Sequence, residues 1–302
     1  MKLYKKIDIG DYKGTFVTAA QIGGKGRLGF LLSYLGPFST TLRLIALSDT
    51  GEKLWEFGDP DVYAHRGGEA YNEPPCRGIC TAFDMLGLGH DQVLAEMYEN
   101  GDPKLILLDG DTGCVLAGAQ SPFPMRVRCP AGYTASRPAP MAHAGYLNGK
   151  NNAPCFVLKY ESSNRIPPKG AVMDAMLNPL WERMPSLTGI GHMITVADIN
   201  GDGCDEIVLG ELALNTAGEV LFEHSYGSHA DMTQVFSLPD TGKAAILVGV
   251  CNHGPLYCLR PDGETIWEKT KEEISHGQGA WVGNFLHERT DRKSTRLNSS
   301  HT

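Results

Sequence analysis

Three features are missing from this chain of 302 residues, and each absence excludes a class of protein. None of its eight cysteines forms a Cys-x-x-Cys pair, so we expect buried free thiols rather than disulfides or a zinc knuckle. No apolar run approaches the length of a membrane span. Positive charge is not in excess either, because the net charge is -8, which argues against a nucleic-acid or anionic-membrane surface.

The two ends of the chain also have distinctive compositions. The opening residues, MKLYKKIDIGDYKGTF, lack the apolar stretch of an export signal, so we expect a cytoplasmic protein. Residues 291–301 read DRKSTRLNSSH, which looks like a translated sequencing-library adapter. We therefore interpret 291–302 as a non-native, disordered tail and 1–290 as a single domain whose natural sequence continues further.

An internal repeat is the strongest signal in the sequence. Each copy is an apolar strand, a turn built on Gly or Asn, and a second strand that usually opens with Leu or Ile before an aromatic residue. The copies are LIALSDTGEKLWEF, LILLDGDTGCVLAG, VMDAMLNPLWERM, LALNTAGEVLFEH and LYCLRPDGETIWEK.

A different pair of strands precedes each of these hairpins, so that one unit has four strands. Repeated four-stranded units match the blades of a β-propeller, and no long segment has apolar residues at the spacing of a helix. We therefore predict an all-β fold, a β-propeller with five complete blades. A truncated sixth blade begins at GAWVGNFLHE, and the native ring would have seven or eight blades.

One turn between the first two strands of a unit reads DINGDGCDE and places oxygen atoms at alternate positions. Hard oxygen ligands at this spacing select calcium. The alternative is an acidic turn held only by side-chain-to-backbone hydrogen bonds. The turns GLGHD, LNGKNN and LPDTGK have lost most of these ligands, so we expect one structural calcium loop. Its predicted ligands are Asp198, Asn200, Asp202, the carbonyl oxygen of Cys204, and Glu206.

Basic and imidazole side chains recur where each blade after the first begins, which in a propeller is one face around the central channel. Such a locally positive rim on an acidic protein favours an anionic ligand. The residues at blade entries are Arg77, Arg137, His192, His229 and His276. Loops that leave second strands or enter blades add Tyr160, Arg165, His253, Arg126 and Arg128.

The DxNxDGxDE turns and the Gly-x-x-Leu-Trp hairpins together resemble FG-GAP-type propellers. The run from FVLKYESSNR through VMDAMLNPLWERM and GIGHMITVADINGDGCDEIVLGE to GSHADMTQVFSLPD resembles the propeller of rhamnogalacturonan lyases of polysaccharide lyase family 11, and of the related ulvan lyases. The resemblance spans about residues 151–285. It implies use of calcium and cleavage of uronate-containing polysaccharides by β-elimination.

Elimination from a uronate needs a cation at the carboxylate, a base near neutral pKa and an acid for the leaving oxygen. Arg137 would supply the cation, His192 or His229 the base, and Tyr160 or the other histidine the acid. His276 would orient them or bind a metal, because three clustered histidines also suit a zinc site. The remaining residues, assigned to substrate binding, are Arg77, Arg126, Arg128, Arg165 and His253.

Other functions remain open at this point. A non-catalytic propeller that binds a glycan or a protein partner is the main alternative, since lone histidines at strand starts are commonly plain loop residues. SDTGEKLWEF and DGDTGCVLAG also resemble quinoprotein blades, but quinone-dependent dehydrogenases are normally exported. A sialidase is disfavoured because the chain has no S-x-D-x-G-x-T-W box.

Overall fold

The structure is a computed structural model. It describes residues 6–10, 12, 16–35, 41–59, 79–99, 102–124, 126–128, 132, 134–136, 140–160, 169–183, 191–226, 229–251, 255–274, 279–283 and 295–297. Within these ranges the regular elements are all β-strands, arranged as five four-stranded sheets and two strand pairs. The prediction of an all-β propeller with five complete blades is confirmed. Within the same ranges, no helix has the length and apolar character needed to cross a membrane.

Each four-stranded sheet runs in chain order, so that every strand pairs with the next one along the sequence. Blade 1 contains β1 (Phe16–Ala20), β2 (Gly29–Leu35), β3 (Thr41–Ser48) and β4 (Lys53–Phe57). Blade 2 contains β5 (Cys80–Phe83), β6 (Gln92–Glu99), β7 (Asp102–Asp109) and β8 (Val115–Gln120). A separate hairpin follows, formed by β9 (Arg126–Arg128) and β10 (Thr134–Ser136).

The next three blades repeat this plan, and the beginning of a sixth blade follows them. Blade 3 contains β11 (Pro140–Gly145), β12 (Cys155–Tyr160), β13 (Lys169–Met173) and β14 (Pro179–Arg183). Blade 4 contains β15 (Thr195–Ala197), β16 (Glu206–Val208), β17 (Leu212–Leu214) and β18 (Val220–Glu223). Blade 5 contains β19 (Ala230–Ser237), β20 (Ala244–Val250), β21 (Leu256–Leu259) and β22 (Thr265–Lys269). The start of a sixth is the pair β23 (Ala280–Val282) and β24 (Thr295–Leu297).

The chain divides into two compact units, each of which is described by itself. Unit 1 is Met1–Ala144, Ala153–Tyr160 and Ala171–Glu182, and unit 2 is Gly145–Asn152, Glu161–Gly170 and Arg183–Thr302. Blades 1 and 2 lie in unit 1, and blades 4 and 5 lie in unit 2. The single domain over 1–290 stays a prediction.

The glycine of the repeated hairpin is required because an aromatic side chain of the preceding blade packs on it. In unit 1, Gly113 has φ +71°, and a Cβ there would lie 2.7 Å from the ring of Trp55 in blade 1. The indole N–H of Trp55 donates to the carbonyl of Gly110 in the same turn, at 2.6 Å. The repeated glycine and the repeated aromatic residue are thus contact partners in consecutive blades.

Unit 2 repeats this contact with different side chains. Gly263 has φ +86°, and a Cβ there would lie 2.7 Å from Phe222 of blade 4. The imidazole Nε2 of His224 lies 2.8 Å from the carbonyl oxygen of Gly263 and so takes the part that the indole plays in blade 1. A clash of this kind would force backbone or ring to move, which explains why the turn keeps glycine.

The hydrophobic cores lie between consecutive blades, as expected when sheets pack face to face. In unit 1 the core between blades 1 and 2 contains Ala20, Ile22, Leu31, Leu44, Ala46, Trp55, Val93, Ala95, Met97 and Leu108. In unit 2 the core between blades 4 and 5 contains Ile199, Val208, Ala213, Phe222, Ala230, Ile246, Val248, Val250 and Leu259. Every one of these side chains is less than a tenth exposed.

Part of the predicted disordered tail has regular structure. Residues Thr295–Leu297 form β24, which pairs antiparallel with β23. The strand pair differs from the expected disorder at these three positions because an open strand edge can hydrogen-bond any extended segment through its backbone. The origin of the tail as a translated adapter stays a prediction.

Candidate functional site

Three side chains of unit 2 meet at the end of blades 4 and 5 where the first strand of each begins. The Nε2 atoms of His192 and His229 are 3.1 Å apart. Oδ1 of Asp231 lies 3.3 Å from His192 Nε2 and 3.2 Å from His229 Nε2. We call these residues the His–His–Asp cluster. The side chains of the two histidines are about a quarter and a third exposed, whereas that of Asp231 is buried, so the cluster opens to solvent on its imidazole side.

A close backbone approach fixes His192 in this position. Its N–H donates to the carbonyl of Ala230 at 2.8 Å. The preceding residue, Gly191, has φ +56°, and a Cβ there would lie 2.3 Å from the same carbonyl oxygen. Only glycine satisfies both conditions, and it therefore allows the entry to blade 4 to lie directly on the first strand of blade 5.

A β-bulge sets the third member of the cluster. The pairing of β19 with β20 joins Ala230 to Val250 and Met232 to Gly249, so β19 carries one extra residue, which is Asp231. Bulges are frequent next to functional sites because they redirect a side chain out of the regular strand alternation. Here the carboxylate lies against both imidazoles, and the carbonyl of His229 is held by the N–H of Cys251 at 2.9 Å.

The electrostatics of the cluster favour a negative Asp231 beside positive or metal-bound imidazoles. Burial by itself raises the pKa of the Asp231 carboxyl. The hydrogen bond with His229 and the charges of His192 and His229 outweigh that effect, so the pKa of Asp231 is lowered overall. Two Nε2 atoms in contact cannot both present lone pairs to each other, so at least one of them carries a proton or both bind a cation.

A second carboxyl group, Glu211, lies in the same region with the opposite shift. Burial raises the pKa of Glu211 to about 7, although the N–H of Tyr226 and the charge of His229 act in the other direction. Glu211 follows β16, is 5% exposed, and accepts a hydrogen bond from the Tyr226 N–H at 3.3 Å. Two carboxyl groups with pKa values displaced in opposite directions are typical of an acid and a base with separate roles.

The cluster also has the dimensions of a metal site. Around a tetrahedral ion with ligands 2.0–2.1 Å away, the ligand atoms are about 3.3 Å apart, and the separations in the cluster are 3.1, 3.2 and 3.3 Å. Two imidazoles with one carboxylate suit zinc or another transition metal better than calcium. The residues present therefore fit the second metal predicted at the histidine rim, with Asp231 in place of a third histidine.

The DINGDGCDE turn adopts a compact loop between β15 and β16. Both carboxylate oxygens of Asp198 accept backbone N–H groups, from Gly201 at 2.7 Å and from Gly203 at 3.0 Å. Asp202 accepts the N–H of Cys204 at 2.8 Å, which lowers the pKa of this carboxyl. The loop geometry is thus compatible with the acidic-turn alternative as well as with a cation.

A specific feature of this turn favours the cation. Glu206 is 1% exposed, and its pKa is raised by burial and by the neighbouring charges of Asp202 and Asp198. The Asn200 amide N–H₂ lies between two carboxylate oxygens, 3.0 Å from Asp202 Oδ2 and 3.0 Å from Glu206 Oε1. A calcium ion held by these side chains would relieve the crowding of negative charge, so the predicted ligands fit the ion.

The structure shows only some of the other predicted site residues. Tyr160 ends β12, is 1% exposed, and packs edge-on against Phe123 with ring centroids 5.3 Å apart. Its part as a catalytic acid stays a prediction. Arg126 and Arg128 lie on β9, but their side chains lie outside what the structure describes. The predicted residues that lie outside the described ranges altogether are Arg77, Arg137, Arg165, His253 and His276.

Sequence reasoning missed the two carboxyl groups of the site. Asp231 occurs in the same short run as His229, SHADM, and an acidic residue two positions from a rim histidine was a usable signal. Glu211 leaves the second strand of blade 4 in the run LGELA, which is the kind of loop position that the rim prediction considered for other blades. The burial of Glu211 could not be predicted, because a single polar residue in the sequence does not indicate whether its side chain is buried.

Comparison with solved structures identifies propellers of similar fold. A Bacillus licheniformis rhamnogalacturonan lyase of family PL11 superposes with a TM-score of 0.66 and 19% identity, over 84% of this chain and 50% of that one. The rhamnogalacturonan lyase YesW gives 0.64 and 19%, over 83% and 50%. The V. cholerae biofilm matrix protein Bap1 gives 0.57 and 17%, over 87% and 40%.

These likenesses confirm the resemblance of the propeller to that of rhamnogalacturonan lyases at the level of fold. The chain spans about half the length of the lyases that it matches. No family model matches the chain, and no curated protein matches it either. Similarity to the FG-GAP repeat stays a prediction, because the similar solved structures show the β-propeller fold alone.

Proposed function

We propose that this protein is a polysaccharide lyase that cleaves uronate-containing glycans by β-elimination. The observation that carries the proposal is the His–His–Asp cluster, in which two partly exposed imidazoles share a buried carboxylate. An imidazole titrates near neutrality and can remove the acidic C5 proton of a uronate. The similar fold of two rhamnogalacturonan lyases supports the same reaction class.

In this proposal His192 or His229 takes the C5 proton, and Asp231 stabilises the imidazolium that results. Asp231 suits this part because its lowered pKa keeps it negative across the neutral range. Glu211, with a pKa of about 7, is a candidate to protonate the leaving oxygen, a part that sequence reasoning gave to Tyr160 or the second histidine. The neutralising charge at the substrate carboxylate is assigned to Arg137, which stays a prediction from the sequence.

A divalent ion at the cluster, when bound, would supply positive charge to the uronate carboxylate and so acidify the C5 proton. His192, His229 and Asp231 would hold it. In that case the two imidazoles are not available as bases, and Glu211, whose pKa of about 7 suits proton abstraction, is a candidate for that part.

The proposal is tested by incubating the protein with pectic and ulvan-type oligosaccharides and recording the ultraviolet absorbance of unsaturated uronate. Parallel reactions contain calcium, zinc or a chelator. Formation of unsaturated ends in any of them supports the lyase, and the ion that is required identifies the kind of metal. If no unsaturated product forms under any condition, the lyase proposal fails.

A non-catalytic propeller that binds an anionic glycan is the second candidate. It is favoured by the exposure of the imidazoles together with the fold shared with a biofilm matrix protein. Binding without product, measured by calorimetry with the same oligosaccharides, would support this function instead.

A further inference from the structure

A second turn of the chain has the same form as the predicted calcium turn but a different chemistry. Residues 84–92 of blade 2 read DMLGLGHDQ, and residues 198–206 of blade 4 read DINGDGCDE. Both turns connect the first strand of a blade to the second, and both contain nine residues that begin with Asp and have Gly at the fourth and sixth positions.

The backbone of the two turns is closed in the same register. Phe83 pairs with Gln92 across the blade 2 turn, and Ala197 pairs with Glu206 across the blade 4 turn. The equivalent glycines also share their conformation. Their φ angles are +67° and +75° for Gly87 and Gly89, and +83° and +90° for Gly201 and Gly203.

The first aspartate acts alike in both turns. Oδ2 of Asp84 accepts the N–H of Gly89 at 2.8 Å, and Oδ2 of Asp198 accepts the N–H of Gly203 at 3.0 Å. Three other ligand positions differ, because Leu86, Leu88 and Gln92 stand where the calcium turn has Asn200, Asp202 and Glu206. The blade 2 turn therefore keeps the shape of a calcium loop with few of its oxygen ligands.

The eighth residue of each turn is an aspartate that binds the turn of the preceding blade in the same way. The N–H of Asp91 donates to the carbonyl of Gln21 at 3.0 Å, and Asp91 Oδ2 accepts the Gln21 N–H at 2.7 Å. The equivalent Asp205 makes the same two bonds to Tyr146, at 3.1 Å and 2.7 Å. Each turn thus docks on the corresponding turn of the preceding blade by a two-point contact.

Gln92 closes the blade 2 turn through both ends of its amide. The side chain is fully buried, its Oε1 accepts the N–H of Leu86 at 2.9 Å, and its Nε2 donates to the carbonyl of His90 at 2.9 Å. His90 stands at the position of Cys204, whose carbonyl is a predicted calcium ligand. A carbonyl oxygen that would face a cation in blade 4 is therefore satisfied by an N–H₂ donor in blade 2.

We propose that the Gln92 amide takes the place of the cation in blade 2 and closes this turn without a metal ion. Glu206 can only accept hydrogen bonds when ionised, and its side-chain donor is Asn200, which is itself a predicted calcium ligand, whereas the glutamine carries its own donor. Calcium dependence is consequently confined to the blade 4 turn of this pair. This inference does not rest on the proposed enzymatic function.

The first test converts the blade 2 turn to the calcium form. The variant Leu86→Asn/Leu88→Asp/Gln92→Glu should bind one more calcium ion per chain than the parent protein in equilibrium dialysis, and calcium should raise its melting temperature more than it raises that of the parent. Leu88→Asp alone is the matched control, because Leu88 is 55% exposed and tolerates a polar side chain. Equal calcium binding by the triple variant and the parent overturns the proposal.

The reciprocal test removes the need for calcium in blade 4 and needs no new ligands. Glu206→Gln should lose the rise in melting temperature on calcium addition and, in chelator, melt at or above the parent. Gln92→Met, which keeps the size but removes the amide, should melt about 5 °C lower than the parent with calcium and with chelator alike. A Gln92→Met protein whose stability calcium restores, or a Glu206→Gln protein that melts below the parent in chelator, contradicts the proposal.

Discussion

Oδ1 of Asp231 lies 3.2 Å from Nε2 of His229, two residues earlier in the chain. Asp231 is the extra residue of the β-bulge in β19, where the pairing with β20 skips one position. The same oxygen lies 3.3 Å from His192 Nε2. One buried carboxylate thus serves two imidazoles that come from the entries to consecutive blades. Both imidazoles therefore lie against the same negative charge.

The first prediction concerns that charge. Asp231→Asn keeps the shape of the side chain but removes its negative charge, so it should lower kcat for unsaturated-product formation about 10²-fold or more. Asp240→Asn, at an exposed aspartate of the β19–β20 turn, is the matched control and should keep parental activity. An unchanged kcat in Asp231→Asn would mean that the cluster takes no part in the reaction.

The second prediction concerns stability at different pH. Because burial raises the pKa of Glu211 to about 7, its contribution to stability is fully present below the unfolded value near pH 4.5 and is lost as the pH rises through 7. Glu211→Gln stays neutral, so at pH 8 it should be more stable than the parent by on the order of 2 kcal/mol. At pH 5 the difference should vanish or reverse.

Urea denaturation at the two pH values measures this effect. Glu219→Gln, on the exposed β17–β18 turn, serves as the control and should show the same stability difference from the parent at both. If the advantage of Glu211→Gln at pH 8 equals that at pH 5, then Glu211 does not titrate in the folded protein as described.

Much of the fold could be predicted from the sequence because the repeat combines local and inter-blade constraints. The glycine of the hairpin turn is needed both for its backbone angle and for the aromatic residue above it, as Gly113 and Trp55 show. Because both constraints act in successive blades, glycine and an aromatic residue recur at regular intervals in the sequence. The five blades and their order were therefore predictable before any coordinates.

The candidate site was predictable only in part. His192 and His229 could be placed together because both precede a first strand, and propeller topology brings such positions to one end. The bulge at Asp231 leaves no pattern, since one extra residue in a strand looks like an ordinary polar position. Tyr160 was expected at the rim but is buried, because a strand end predicted to within a residue does not fix which way its last side chain points.

The third prediction tests the contact behind the repeat. Gly113→Ala must adopt φ +71° and also place a methyl group 2.7 Å from the Trp55 ring, whereas Gly87→Ala has a similar φ of +67° with no atom within 4 Å of its new Cβ. Both lose about 1 kcal/mol from the backbone conformation. Gly113→Ala should lose about 1–3 kcal/mol more from the clash, measured by denaturant unfolding. Equal losses would show that the ring is free to move away.

The fourth prediction concerns the pair formed by His90 and Asp109 in blade 2, whose Nε2 and Oδ2 atoms are 2.8 Å apart. The hydrogen bond with Asp109 raises the pKa of His90, so its contribution to stability is full below about pH 6.5 and is lost as the pH rises through the folded value. Burial raises the pKa of Asp109, but hydrogen bonds from His90 and Thr112 lower it overall. The contribution of Asp109 is therefore lost only in acid.

His90→Gln should accordingly reduce the melting temperature more at pH 5.5 than at pH 8.5. Asp109→Asn should remove the same pH dependence from the other side of the pair, and the double variant should show no further change. A loss that is the same at both pH values would indicate that His90 acts as a neutral hydrogen-bonding group.

The central claim is that the His–His–Asp cluster carries out chemistry and does not merely bind a glycan. The most direct measurement compares the parent protein with His192→Ala/His229→Ala, recording both the affinity for an unsplit uronate oligosaccharide and the rate of unsaturated-product formation. We expect the affinity to change by only a few fold while product formation falls about 10²-fold or more. Equal rates in the two proteins, or binding by the parent with no product at all, would contradict the claim.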